Sequence, residues 1–202
     1  WFGFNAGSGL VANGDAAQTL LVTHISAATA TIVWSLAEKV KHGKASVLGA
    51  VTGSIAGLAA ITPASGDVGP IGALVIGATA GFICWIASTT VKSKFGYDDS
   101  LDVVGVHGVG GIVGTLMVAF FASTTLGGKG IISTPDAETY SIAAQFLVQL
   151  QASAIVIVYT LIVSVIILYL VKAICGGSLR ASESEEEEGL DLTAHGESAY
   201  NN

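Results

Sequence analysis

The sequence predicts an all-α polytopic membrane protein. Hydrophobic residues make up 51% of the 202 and charged residues only 11%, where soluble domains carry roughly 25% charged residues. Mean hydropathy is +0.70. Apolar runs near the ~20 residues that cross a bilayer as one helix alternate with short polar loops. Lys and Arg concentrate in alternate loops, the asymmetry that sets membrane orientation. Glycine, at 26 residues, suits helices that approach closely in lipid.

Trp1 to Ala12 reads as the second half of a helix already crossing the membrane. A helix does not readily begin in hydrocarbon with unsatisfied N–H groups, so a longer chain is expected, broken before Trp1. Asn13-Gly-Asp15 is a turn signal. Apolar segments follow at about Leu20 to Val40, Ala45 to Ile61, Ile71 to Val91, Val103 to Ala122 and Tyr140 to Ile174. Between them lie the charged loop Glu38 to Lys44, the Pro/Gly loop Thr62 to Pro70, the loop Lys92 to Ser100 and the polar loop Ser123 to Thr139. Residues 1–178 thus form a transmembrane region, the end of one helix plus five full helices, and residues 179–202 a tail. The last segment is 35 residues, about 52 Å as a helix against ~30 Å of hydrocarbon, so it must tilt or project. Its Gln145, Gln149 and Gln151 read as helix-to-helix hydrogen-bonding groups. Small residues recur every fourth position at Gly49, Gly53 and Gly57, at Ala73, Gly77 and Gly81, and at Gly110 and Gly114, which reads as close helix packing.

Seven of the eight basic residues fall on one side, and only Lys129 on the other. By the positive-inside rule the tail is cytoplasmic, and Asn13, the Pro63 loop and the Gly127 loop face outside. The net charge of −7 comes from the tail, which holds seven of the fifteen acids from Ser182 onward. Glu183 to Glu188 reads as a solvated acidic linker. There is no basic patch for nucleic acid. Cys84 and Cys175 have neither metal-site nor disulfide spacing and read as packing residues. No hydrolytic motif or P-loop appears, so an enzyme is not expected, nor a metal or cofactor.

His107 is the one ionisable side chain of Val103 to Ala122. Such a group is costly in lipid and faces a cavity, a partner or a pathway by default; the plain alternative is a packing histidine bonded to a neighbouring helix. Gly105, Gly108, Gly110 and Gly111 strip bulk from around it, while Val103, Val106 and Val109 keep its surroundings dry. A neutral imidazole offers one donor and one acceptor, and burial disfavours its charged form. The site suits a small neutral hydrogen-bonding molecule, or a cation that gives up its proton. At ~1.5 Å per residue, His107 lies roughly 7 Å into the apolar layer from the cytoplasmic side. Asp98, Asp99 and Asp102 cluster at the start of this helix and read as N-capping, dipole-complementing residues. Trp1, Phe4 and Ser8 share a helical face near the outer mouth. They suit either a small-cation site, by cation–π attraction and one hydrogen bond, or an aromatic belt. His24 reads as an interfacial residue and His42 as a solvated one.

Three motifs together resemble the ammonium transporter family, in its Amt/MEP branch: Trp1-Phe-Gly-Phe-Asn-Ala-Gly-Ser8, Asp102-Val-Val-Gly-Val-His107-Gly-Val-Gly-Gly111 and Glu188-Gly-Leu-Asp-Leu-Thr-Ala-His-Gly-Glu-Ser-Ala-Tyr200. The resemblance runs the length of the chain but covers only the family's C-terminal half, helices six to eleven. It implies the second inverted repeat of the ammonium-transporter fold plus a long oblique final helix, in a homotrimer with one pore per subunit. It also implies external recruitment of ammonium, deprotonation, and passage of ammonia through a hydrophobic pore. Trp1 and Ser8 would belong to the external site, Phe4 to a phenylalanine gate, and His107 to a pair of pore histidines whose partner lies in the N-terminal half. Asp99, eight residues before His107, resembles the aspartate preceding that other histidine. Gly189, Asp191, Thr193, His195, Gly196 and Glu197 would form a regulatory tail. The implied partners are ammonium or ammonia, the lipid bilayer, the protein's own N-terminal half and, in prokaryotes, a PII signal protein at the cytoplasmic face of the cell membrane. An Amt-like ammonium sensor, or an engineered ammonium reporter, is the alternative.

Overall fold

The structure is a computed structural model that describes residues 1–130 and 140–198. Most of the polar loop before Tyr140, and Tyr200 of the tail motif, lie outside the described residues. The chain divides into two compact units, Trp1–Ser153 and Ala154–Asn202.

The first unit is a helical bundle arranged on α2 (Gly14–His42). Asn13 starts α2 by accepting from the backbone N–H groups of Asp15 and Ala16, and Gly43, in the left-handed region at φ 78°, stops it. Asp15 in the first turn and Lys39, Lys41 and His42 in the last match the helix dipole at both ends. The helix therefore absorbs most of what reads as a charged loop. The remaining elements are α1 (Phe2–Gly7), α3 (Val47–Ile61), α4 (Pro70–Ile86), α5 (Lys92–Phe95), α6 (Val109–Phe121) and the start of α7 (Ile142–Ile174). Pro70 opens α4, where its missing N–H costs nothing.

Four stretches are long and apolar enough to cross a membrane: Gly14–His42, Pro70–Phe95, Val103–Phe121 and Ile142–Ile174. The expected segment from Ala45 is a 15-residue helix, Val47–Ile61, short of the usual ~20.

The small-residue stripes are where backbones meet. A Cβ on Gly57 or on Gly77 would lie 2.5 Å from the same atom, the Ser26 carbonyl oxygen. One on Gly81 would lie 2.7 Å from the Ala30 carbonyl, and one on Gly114 would collide with the Ala60 carbonyl. The Ser26 hydroxyl also donates to the Gly57 carbonyl at 2.9 Å, so α3 and α4 lie on two sides of α2 at one level. Val22, Ala56, Ala60, Ile76, Ala80, Cys84 and Val106 fill the core between them.

The loops sort to two ends. At one, Lys129 pairs with Asp15 and its N–H donates to the Asp67 carbonyl. At the other, Glu38 accepts from the Ser46 N–H and hydroxyl, and Lys92 pairs with Asp102. This is the alternation that the loop charges predict.

Helix α7 carries no buried residue. The expected helix-to-helix bonds of Gln145, Gln149 and Gln151 are not made among the described residues; Phe146 instead meets Phe120 at 5.7 Å between ring centroids.

In the second unit, the expected acidic linker is a short helix, α8 (Glu183–Glu188), closed by a capping box between Ser182 and Glu185. Two amides at the N-terminus find acceptors this way, and Arg180 pairs with Glu186 at 2.8 Å. Local bonding outweighs the repulsion of the glutamate run.

Candidate functional site

His107 does not sit in a regular α-helix. Residues Val103–Gly108 form a π-helical turn that leads into α6. A second π-helical turn, Ala87–Val91, joins α4 to α5, and Ser88 from it lies against Gly105 of the first. Such wide turns recur at functional sites. They also change which residues share a face. The expectation that Val103, Val106 and Val109 keep the surroundings of His107 dry takes no account of this turn. In the structure Val106 is buried in the core at 2% exposure, while Val103 is exposed.

The start of the turn is held by Asp99. Its carboxylate, on a residue only 9% exposed, accepts from the N–H groups of Val103 at 2.8 Å and Val104 at 2.9 Å. The other two aspartates do not cap. Asp102 stands at the cap position with φ 54° and no side-chain cap bond; its carboxylate pairs with Lys92 at 2.9 Å. Asp98 accepts from the Ser100 hydroxyl. Lys92 also donates to the Asp99 carbonyl at 2.6 Å, so one ammonium ties α5 to the start of the turn.

His107 itself is exposed on this chain, rather than enclosed by the chain's own valines. Gly105 and Gly110 face inward, towards Ser88 and Cys84, whereas a Cβ on Gly111 would meet nothing within 4 Å and one on Gly108 only a carbonyl at 4.0 Å. The inward glycines let the helix pack; the outward ones leave open space beside the imidazole.

Trp1 comes to that space. Its ring centroid lies 6.0 Å from that of His107, with the planes 18° apart. The indole N–H donates to Thr62 Oγ1 at 2.8 Å. Trp1, at the start of α1, thus stands beside His107. Phe4 meets Trp1 edge-on at 6.3 Å and is largely exposed. The Ser8 hydroxyl donates to the Phe4 carbonyl at 2.7 Å, so its proton is spent on its own helix. Asn5, buried on the opposite side, donates to Thr23 Oγ1 at 3.1 Å. It anchors α1 to α2 and so aims the aromatics; its sequence signal is an amide among apolar neighbours. Thr62 carries no such signal. His24 is exposed and meets Phe2 at 5.9 Å, beside a cavity of about 320 Å³ lined by Trp1, Phe2, Thr31, Ser54 and Leu58 among others.

The tail residues meet in the second unit. Gly189 at φ 102° and Gly196 at φ 63° bracket a π-helical turn, Asp191–His195. The Thr193 hydroxyl donates to the Gly189 carbonyl at 3.1 Å, and the Glu197 N–H donates to the Asp191 carbonyl at 2.8 Å. Hydrogen bonds from Ser182 hold the Glu185 carboxyl below the usual range, and those from Arg180 do the same for Glu186. Among the described residues no three His, Cys, Asp or Glu side chains are grouped as a metal would need.

A sequence model of the Ammonium Transporter Family matches residues 1–200. The chain belongs to the ammonium transporter family. It is 45% identical over 201 residues to an ammonium transporter of Aquifex aeolicus, covering 100% of this chain and 45% of that protein. It is 42% identical over 200 residues to one of Bacillus subtilis, covering 99% and 48%. The chain therefore spans about half the length of these ammonium transporters. Among solved structures it is similar to a sensor Amt protein, with a TM-score of 0.82 at 29% identity over 96% of this chain and 45% of that one. It is also similar to Saccharomyces cerevisiae Mep2, with a TM-score of 0.74 at 30% identity over 91% and 41%. The fold is thus the helical membrane fold of the Amt/Mep transporters. The sensor reading gains no support from the Aquifex and Bacillus relatives, both named transporters.

Proposed function

We propose that this chain supplies half of an ammonium-conducting pathway. Ammonium is recruited on the outer side, loses its proton, and crosses as ammonia past His107. One observation carries the reading: the His107 imidazole is presented on an open, glycine-lined face beside Trp1. Gly108 and Gly111 leave room there for a small molecule, and the exposed Val103 and Val104 lie in the same turn. An imidazole edge can donate one hydrogen bond and accept another, which matches ammonia and gives no charge compensation to a bulky or multiply charged solute.

That face is open on this chain, which supports a second half of the protein, with its own histidine, as the other wall. Phe4 and Ser8, further along α1, belong on this reading to the outer approach. The loop charges support a multi-pass protein with a cytoplasmic tail. The family supports a homotrimer, with the tail turn from Gly189 to Glu197 in a regulatory role and a PII protein as a further partner at the cytoplasmic face.

The test is ammonium-driven flux in lipid vesicles holding the full-length polypeptide that contains this chain. Flux above that of empty vesicles is expected, and a His107→Ala variant is expected to lose it or lose discrimination against larger cations. Unaltered flux and selectivity in that variant would remove His107 from the pathway.

A further inference from the structure

We infer that Thr62 is a positioning residue for the passage at His107. It takes the one hydrogen-bond donor of Trp1 and so presents a donor-free aromatic face to the imidazole. This rests on the transport reading, in which Trp1 and His107 line the route.

An indole has one N–H donor and no acceptor. That donor is spent on Thr62 Oγ1 at 2.8 Å. The Thr62 hydroxyl proton goes to the Leu58 carbonyl, also at 2.8 Å and one turn back. With its proton committed, the oxygen turns lone pairs towards the indole. Thr62 closes α3 directly after Ile61, which is fully buried. A β-branched side chain at such a position has little χ1 freedom. The indole is therefore fixed from the bundle core through Thr62.

The consequence is chemical as well as geometric. Near-parallel rings, 18° apart with centroids at 6.0 Å, leave the imidazole edge uncovered, and the edge carries both nitrogens. A free indole N–H beside it would have two acceptors to bind: the unprotonated imidazole nitrogen and the lone pair of ammonia. Either contact would hold the group that has to let go. Thr62 takes that donor out of the passage.

A preference resting on one neutral hydrogen bond shifts populations by roughly threefold to tenfold. Thr62→Val keeps the β-branched shape and removes the acceptor; Thr62→Ser keeps the hydroxyl. Both are made in the full-length polypeptide and reconstituted in lipid vesicles. Ultraviolet resonance Raman reports hydrogen bonding of the indole N–H, with the Trp1 band assigned by difference from Trp1→Phe. Ammonium flux is read in the same vesicles. Thr62→Val should lose the bonded Trp1 band and about threefold to tenfold of the flux, and Thr62→Ser should restore both. In a Trp1→Phe background, Thr62→Val should cost no further flux. An unchanged band in Thr62→Val overturns the proposal. So does a lost band with parental flux, or a further loss in the Trp1→Phe background. If the parent shows no flux above empty vesicles, the transport reading itself falls, and the band then separately upholds or overturns the Thr62 contact.

Discussion

Removing the Asp99 carboxylate should unravel the turn that carries His107. The side chain is almost fully buried and accepts two backbone N–H groups, from Val103 and Val104. In Asp99→Ala both donors lose their charged partner, for which water is a weaker substitute. Hydrogen bonds to a charged acceptor contribute about 1.5–3 kcal/mol each. Lys92 still pairs with Asp102 and keeps the start of the turn tied to α5. A net loss of about 3 kcal/mol is expected, roughly a 150-fold rise in local opening. Amide hydrogen exchange on the reconstituted full-length protein reads this directly: Val103 and Val104 should lose about two orders of magnitude of protection. Amides in the middle of α2 should change far less. Asp99→Asn, which still offers one carbonyl acceptor, should fall between. Unchanged protection at Val103 and Val104 in Asp99→Ala would refute the capping argument, because no other group is placed to accept from them.

Gly57→Val forces a branched side chain against the Ser26 carbonyl and should cost about 1–3 kcal/mol, read as a lower unfolding midpoint in detergent. Asp67→Asn tests a half-buried carboxylate outside the spans. Burial raises its pKa despite the opposing pull of Lys129, so ionising it costs the folded state. The substitution should therefore stabilise the protein at neutral pH, and the gain should fade as the pH falls through the raised pKa and then the unfolded carboxylate range. An advantage that grows in acid would contradict that sign. Ser182→Ala removes the cap of α8; exchange at the Glu185 amide should rise by a factor corresponding to about 1 kcal/mol.

The helices were legible because their ends are written in side chains. Asn13 and Gly43 bound α2, and Pro70 opens α4; each acts locally, so one sequence suffices to read it. The glycine stripes were legible for a related reason, since only a missing Cβ allows the approach of Gly57 to Ser26. The π-helical turns were not. They depend on Lys92 meeting Asp99 and Asp102 and on Ser88 lying against Gly105, contacts made across a loop. Regular α spacing would set Val103 and Val106 on one face; in the structure Val106 is buried and Val103 exposed. The meeting of Trp1 with His107 is not legible either, because the bond from Trp1 to Thr62 that aims the indole joins residues 61 positions apart. The capped helix at Glu183–Glu188 was hidden behind its own charge, although Ser182 and Glu185 carry the capping-box pattern.

The shared contact of Gly57 and Gly77 with the Ser26 carbonyl has a mechanical consequence. Two helices press on a single peptide group of a third, so none can slide along or away from the others without opening a gap there. Gly81 of α4 and Gly53 of α3 make a second set of close contacts one turn further along α2, at Ala30, which opposes rocking as well. The three helices should therefore move as one body, and spin labels on Gln18 and Lys39 should shift together.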